Sequence, residues 1–367
     1  MKLQSMTLHK IIICGGGTGG HIYPALTIAD QIKKTFPSSE ILFVGANGKM
    51  EMEKVPSNGY KIKGLNIAGF NRSSLFKNIT LPFKLLSSLI KAYKIVSDFK
   101  PTHVIGTGGY VSGPVLLIAM LKNIPYFIQE QNSLPGITNK FLAQKAKYIF
   151  VAYKGLHKYF PNNKIKLTGN PIRANIFMNL PNSQEAKEKF GLNKDKFTIL
   201  SLGGSQGARS INEAWLNNLE EFKNTNYQLI WQTGKPDFQK ITNQCQNSPI
   251  IKTLDFITNM QDAYAASDLI ISRAGAIAIS ELMLVGKPCV FIPLPTAAAD
   301  HQTVNCLSLI KENAAIMVKN SEIKLELLHT IKKIEGNKLL QNSLAENIKK
   351  LAEPNAAEKI IKLIFKE

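Results

Sequence analysis

The sequence predicts an α/β protein with two successive parallel sheets, and three observations predict it. Short β-rich apolar runs alternate with helical patterns along most of the chain, the signature of βαβ units. The series restarts near the middle with the same local device: Ile11 to Cys14 leads into GGGTGG and a helix, and Ile199 to Leu202 leads into GGSQGA and a helix. A length of 367 residues fits two domains of ordinary size.

Taken in order, the strands of the first half are expected at Lys10 to Cys14, Ile41 to Val44, Thr102 to Ile105, Tyr126 to Ile128, Tyr148 to Val151 and Ile165 to Thr168. Those of the second half are expected at Phe197 to Leu202, Gln228 to Trp231, Ile250 to Lys252, Leu269 to Ile271, Cys289 to Ile292 and Ala315 to Val318. Between them, Gly169-Asn170-Pro171 and then Asn175 to Ser183 lack periodicity and carry prolines, which marks a linker and divides the chain into 1–172 and 173–353. A long lysine-rich helical stretch covers Ser321 to Leu351. After the break at Glu353-Pro354-Asn355, a last amphipathic helix, Ala356 to Phe365, is expected to return to the first domain and complete it as 354–367.

Composition excludes several classes. With 44% hydrophobic and 19% charged residues the chain can bury a core in each half. The formal net charge is +19, but only Arg72, Arg173, Arg209 and Arg273 are arginines. Lysine lacks the planar fork that reads base edges and clamps phosphates, so nucleic acid is not the expected partner. Attraction to an anionic lipid surface needs no such geometry and survives. Cys14, Cys245, Cys289 and Cys306 form no CxxC pair, which argues against a zinc site or disulfide framework and for a reduced, cytoplasmic protein. Ile11 to Cys14 is too short for a signal segment. The run Val111 to Leu121 falls short of the ~20 residues of a spanning helix, so membrane contact is expected to be peripheral. Leu65 to Ser97 interleaves Leu75, Phe76, Ile79, Phe83, Leu86 and Ile90 with Arg72, Lys77, Lys84, Lys91 and Lys94. That pattern suits an interfacial element on anionic headgroups, with an ordinary amphipathic helix covering the sheet as the alternative.

Three glycine-rich turns follow predicted strands: GGGTGG at Gly15 to Gly20, GTGGYVSGP at Gly106 to Pro114, and GGSQGA at Gly203 to Ala208. Glycine lets the backbone approach an anion closely, and the following helix aims its unpaired N–H groups and positive dipole end at it. The first turn satisfies GxGxxG, but a dinucleotide site also wants an acidic residue at the end of the second strand. Val44-Gly45-Ala46-Asn47 stands there, which disfavours NAD. His21, at the helix start, is either a polar cap or a base able to take a proton from a hydroxyl. Glu130-Gln131-Asn132 offers polar side chains to a substrate, or Asn132 caps the helix after Pro135. Glu281, one and a half turns into the helix after Arg273-Ala274-Gly275, either accepts from a ribose diol or is solvated. Asp300-His301-Gln302 follows the strand Cys289 to Ile292 and could read sugar hydroxyls. HExxH, GxSxG and the P-loop are absent, so the parts for metal hydrolysis, serine hydrolysis and ATPase chemistry are missing.

Eight ordered motifs carry a closer likeness: GGGTGGH, GTGGYVSGP, EQN, GNPIR at Gly169 to Arg173, GGSQGA, FITNM at Phe256 to Met260, SRAGAIAISE at Ser272 to Glu281, and DHQTVN at Asp300 to Asn305. Together they span almost the whole chain and resemble the MurG family within glycosyltransferase family 28. The resemblance implies a GT-B fold, two Rossmann-like domains facing across a cleft. It implies inverting transfer of GlcNAc from UDP-GlcNAc to undecaprenyl-diphospho-MurNAc-pentapeptide, at the cytoplasmic side of the cell membrane, with no cofactor and no metal. The first domain would hold the lipid acceptor and the membrane, the second the donor. Position by position, it implies Thr18, Gly19 and Gly20 near the donor diphosphate and acceptor, Asn132 near the sugars, and Arg173 and Ser205 at the nucleotide-sugar. Ile257 would offer its backbone to uracil, Ala276, Ile277, Ala278, Ile279, Ser280 and Glu281 would wrap the nucleotide with Glu281 on the ribose, and Gln302 would bind GlcNAc. His301 stands where some members carry glutamine. His21 is the first choice of base, with Asp300 behind it. The competing classes are an NAD-dependent oxidoreductase, a UDP-GlcNAc 2-epimerase, a transferase acting on diacylglycerol and a non-catalytic membrane adaptor.

Overall fold

The computed structural model describes residues 8–67, 69, 80–173, 177, 179–204, 206–246 and 248–366, apart from the side chain of Ala298. Of the residues singled out above, Arg72, Leu75, Phe76, Lys77, Ile79 and Ser205 lie outside the described residues. The chain divides into two compact units, one running to Ile172 and resuming at Asn355, the other Arg173–Pro354.

In the first unit the elements are β1 (Lys10–Gly15), α1 (Gly19–Thr35), β2 (Glu40–Ala46), α2 (Glu51–Ser57), β3 (Lys61–Leu65), α3 (Leu81–Phe99), β4 (His103–Gly108), α4 (Ser112–Leu121), β5 (Tyr126–Glu130), α5 (Ile137–Leu142), β6 (Tyr148–Val151) and β7 (Ile165–Leu167). The strands pair in parallel in the order β3-β2-β1-β4-β5-β6-β7. Ile11, Ile12, Ile13 and Cys14 are fully buried, as a central parallel strand covered on both faces requires. The one strand of this sheet that sequence reasoning missed is β3. It lies at the sheet edge and alternates exposed lysines with Ile62 and Leu65, so it shows no continuous apolar run.

The second unit contains α6 (Ser183–Lys189), β8 (Phe197–Leu202), α7 (Arg209–Asn217), α8 (Leu219–Lys223), β9 (Tyr227–Gln232), α9 (Phe238–Gln244), β10 (Ile251–Leu254), α10 (Met260–Ala266), β11 (Leu269–Ser272), α11 (Ala276–Val285), β12 (Cys289–Phe291), α12 (His301–Ile310), β13 (Ile316–Met317), α13 (Ile323–Glu335) and α14 (Lys338–Lys350). Its sheet is also parallel, in the order β10-β9-β8-β11-β12-β13. The lysine-rich stretch is two helices rather than one. Gly336 ends the first, and Asn337 caps the second by accepting from the Leu340 amide at 2.9 Å.

The last helix, α15 (Ala356–Phe365), belongs to the first unit and packs on α1. Its Ile360, Ile361 and Ile364 share one core with Ile11, Ile13, Ile22 and Phe127. Burying each is worth roughly 1.5–3 kcal/mol. In both sheets the strand order reverses beside the first strand of the unit, at β1/β4 and at β8/β11. At such a switch point the loops leaving the strand ends part to opposite faces and leave a crevice where ligands bind.

Candidate active site

At the first switch point the loop after β1 is braced from two sides. The Gly16 amide donates to the Gly108 carbonyl at 3.3 Å. Gly109, with φ +80°, passes so close to the Gly16 carbonyl that a Cβ there would overlap it. From the other side, Glu51 at the start of α2 sends its carboxylate under the loop, accepting from Gly17 at 3.1 Å and 3.2 Å and from Ala46 at 2.9 Å. Glu51 is fully buried. The acidic residue absent from the end of β2 thus stands five residues further on, and its burial keeps it from holding a ribose diol.

Thr18 precedes α1 in extended conformation and makes no side-chain cap, and the first turn of α1 carries no acidic residue. The helix therefore starts open, with Thr18 exposed and Gly19 and Gly20 half-buried. Two residues into it, His21 Nδ1 lies 3.0 Å from the Thr107 carbonyl and 3.1 Å from Gln131 Oε1. A carbonyl can only accept, so Nδ1 carries a proton, and in the neutral ring the lone pair is on Nε2. Thr107 answers by donating its hydroxyl to the His21 carbonyl at 2.9 Å. His21 therefore turns its ring to the end of β4 and to Gln131, and Thr18 supplies no side-chain cap at this helix start.

Glu130 and Gln131 do not offer themselves to a substrate. Both are buried. Glu130 accepts from the Asn132 amide at 3.0 Å, the Asn132 side chain at 3.3 Å, the Gly136 amide at 3.2 Å and Asn139 at 2.8 Å, so it and not Asn132 organises the start of α5. Gln131 donates to the Thr107 carbonyl at 2.6 Å and to Gln129, and so fixes the acceptor that orients His21. Asn132 remains half-buried at the rim.

In the second unit a neutral amide does what Glu51 does in the first. Gln232 Oε1 accepts from Gly204 at 3.0 Å, and the Gln232 carbonyl accepts from Gly203 at 3.1 Å. Gly234, with φ +77°, packs against Gly207 so closely that a Cβ would overlap its amide. Arg209 points away, exposed and paired with Glu213 at 2.8 Å.

The start of α11 is also open: Gly275 makes no side-chain cap and no acidic residue stands in the first turn. Within 276–281, Ala276 and Ile279 are buried, while Ile277, Ala278, Ser280 and Glu281 keep some surface. Ser280 returns its hydroxyl to the Ala276 carbonyl at 2.9 Å. Burial pushes the Glu281 carboxyl up to about 7. Ile257 is buried in the loop before α10, and its backbone makes no hydrogen bond among the described residues. Gln302 accepts from the Leu294 amide at 2.9 Å, which leaves its NH2 group as the donor. Ala299 and Asp300 are both left-handed at φ +53°, and exposed Asp300 accepts from Thr303 at 2.7 Å. His301 opens α12. Arg173 is exposed where the second unit begins.

Sequence reasoning missed the residues that brace these loops. Glu51 and Gln232 carry no local signal, since each acts on a glycine about thirty residues away in sequence. Arg273 was noted only as leading a helix. It donates to the carbonyls of Ile292 and Pro293, to Asn320 at 2.8 Å and to Ser210 at 2.7 Å, tying the start of α7 to the loops after β12 and β13. No carboxylate pairs with it among the described residues, and burial lowers it to about 10. Among the described residues no cluster of His, Cys, Asp and Glu could hold a metal ion.

Comparison with known proteins agrees along the whole chain. The description "Glycosyltransferase family 28 N-terminal domain" matches residues 11–151, and "Glycosyltransferase family 28 C-terminal domain" matches residues 198–361. A protein of Flavobacterium psychrophilum is 48% identical over 361 residues, covering 98% of each chain, and one of Christiangramia forsetii is 49% identical over 352 residues, covering 96% of each. Both are named UDP-N-acetylglucosamine--N-acetylmuramyl-(pentapeptide) pyrophosphoryl-undecaprenol N-acetylglucosamine transferase. The crystal structure of Acinetobacter baumannii MurG superposes with a TM-score of 0.79 at 29% identity, over 98% of this chain and 100% of that one.

Proposed function

This chain belongs to glycosyltransferase family 28, with a GT-B fold of two Rossmann-like units, and from that premise we propose how it works. It is a hexosyltransferase that moves GlcNAc from UDP-GlcNAc to undecaprenyl-diphospho-MurNAc-pentapeptide, releasing UDP and completing the lipid-linked disaccharide of peptidoglycan. The observation that carries this reading is near-half identity, over nearly the full length, to relatives named for that one reaction.

The second unit takes the donor. Ile257 offers uracil its unengaged backbone, Glu281 accepts from the ribose diol, and Gln302 donates to GlcNAc hydroxyls. Arg173 and Ser205 attend the nucleotide-sugar. Amides of the Gly203 to Ala208 loop and the open start of α11 stabilise the charge that grows on the diphosphate as the C1–O bond breaks. The leaving group is acidic enough to depart unprotonated. The first unit takes the acceptor at Thr18, Gly19, Gly20 and Asn132. His21 Nε2 removes the proton from the MurNAc 4-hydroxyl as its oxygen bonds to C1 from the face opposite UDP, inverting that centre. Thr107 and Gln131 hold the imidazole in the required tautomer, and Asp300 is the reserve base.

The first unit also meets the membrane. Phe83 is 75% exposed, Leu86 58% and Ile90 64%, one face of α3 beside Lys84, Lys91 and Lys94, while Ser88, Ala92, Ile95 and Val96 face the protein. More apolar surface points outward than sheet coverage accounts for. No described helix is long and apolar enough to cross a membrane, and we read this face as resting on the cytoplasmic leaflet.

Labelled UDP-GlcNAc and a short-chain acceptor analogue test the reaction. Transfer to that acceptor is expected, and preferential transfer to diacylglycerol would overturn the reading. His21→Ala is expected to lower kcat by about 100-fold or more with UDP affinity unchanged; wild-type turnover in that variant removes His21 from the mechanism.

A further inference from the structure

The first glycine loop holds an anion of its own. Glu51 is fully buried, and among the described residues no lysine, arginine or histidine pairs with it. Its carboxylate is satisfied by the backbone amides of Gly17 and Ala46. The fit is close: a Cβ on Gly16 would overlap Oε1, and one on Gly45 would overlap the Glu51 side chain. Bracing alone does not call for a buried charge, which is costly to desolvate. The second unit braces the equivalent loop with the uncharged amide of Gln232. What a carboxylate adds is a negative charge in a turn whose amides are arranged to receive one.

We propose that Glu51 is a positioning residue and a built-in anion. Its carboxylate occupies the amides of Gly17 and Ala46 beneath the first glycine loop, fixes the start of the helix that carries His21, and denies those two amides to a substrate phosphate while leaving Thr18, Gly19 and Gly20 to the substrates. This rests on the transferase reading above and deepens it. The loop of the first unit is thereby set in its working shape before either substrate arrives.

Three measurements on the full chain test the proposal: kcat, UDP affinity by calorimetry, and inhibition by inorganic phosphate. Glu51→Gln keeps the shape and removes the charge. It is expected to lower kcat about tenfold or more while UDP affinity stays within about twofold. In Glu51→Ala the vacated turn is expected to admit phosphate, which then competes with the lipid acceptor at a concentration about fivefold or more below that needed against the wild type. A merely structural role would not create a phosphate site. Glu51→Asp keeps the charge and withdraws it by one methylene; it should lose kcat without gaining phosphate inhibition, and serves if the other two variants do not fold. The proposal is overturned by wild-type kcat in Glu51→Gln, by UDP affinity falling together with kcat, or by unchanged phosphate inhibition in Glu51→Ala. Wild-type turnover in His21→Ala would sink the base assignment and leave the phosphate readout standing, so the two failures are distinguishable.

Discussion

The two glycine loops, GGGTGG after β1 and GGSQGA after β8, share their composition and their place at a switch point but differ in the charge beneath them. Under the first lies the buried carboxylate of Glu51, and under the second the neutral amide of Gln232. Both are locked by a second glycine turn at backbone contact, Gly109 on Gly16 and Gly234 on Gly207. Similar glycine sequences thus make two different electrostatic objects. On the proposal above, the amides of Gly17 and Ala46 are closed to a phosphate by the carboxylate they already hold, whereas an amide brace places no such charge under the second loop. Arg273, without a carboxylate partner among the described residues, tilts the second unit further towards anions.

The largest effects should come from breaking the shared feature. Gly109→Ala and Gly234→Ala each place a Cβ on neighbouring backbone at positive φ, and each should cost roughly 3 kcal/mol or more, read as a fall in the melting temperature. A loss below about 1 kcal/mol in either would mean that the turn relaxes freely and the lock is unimportant. Next, Gln232→Glu gives the second loop the charge of the first. UDP affinity should fall about 10- to 100-fold, and stability should fall as well because the added charge is buried; unchanged affinity would mean the two loops do not differ in the way described.

Smaller effects sharpen the contrast by pH. With its carboxyl raised to about 7, Glu281 is largely protonated below that pH and ionised above it. In the proposed role the ionised form accepts from the ribose diol better, so the KM for UDP-GlcNAc should rise as pH falls through about 7, by up to tenfold per unit. Glu281→Gln should flatten that profile; a profile that keeps its slope in the variant assigns it to another group. Least of all, Arg209→Ala removes an exposed ion pair at the edge of the second glycine loop. It should change stability by less than about 0.5 kcal/mol and leave transfer intact. A large loss of UDP binding would place Arg209 among the donor contacts.

Much of the fold was legible because central parallel strands are covered on both faces and read as unbroken apolar runs, such as Ile11 to Cys14 and Phe197 to Leu202. The strand β3 was not, because an edge strand alternates lysine with apolar residues. The glycine loops and His21 were legible for a local reason: each sits where a strand turns into a helix, within a few residues of the signal. Glu130 and Gln131 were visible but misassigned to substrate. Their burial depends on α5 and the loop after β4 closing over them, which a run of polar letters does not report.

By itself the sequence determined two parallel sheets, the turns at their carboxyl ends, and the reaction class that eight ordered motifs imply. Only the tertiary structure decided the tautomer of His21 and which buried group braces each loop. Backbone turns and helix starts are set by neighbours along the chain. A hydrogen bond from Gly17 to Glu51, or from His21 to Thr107, joins residues 34 and 86 positions apart and exists only once the sheet has brought them together.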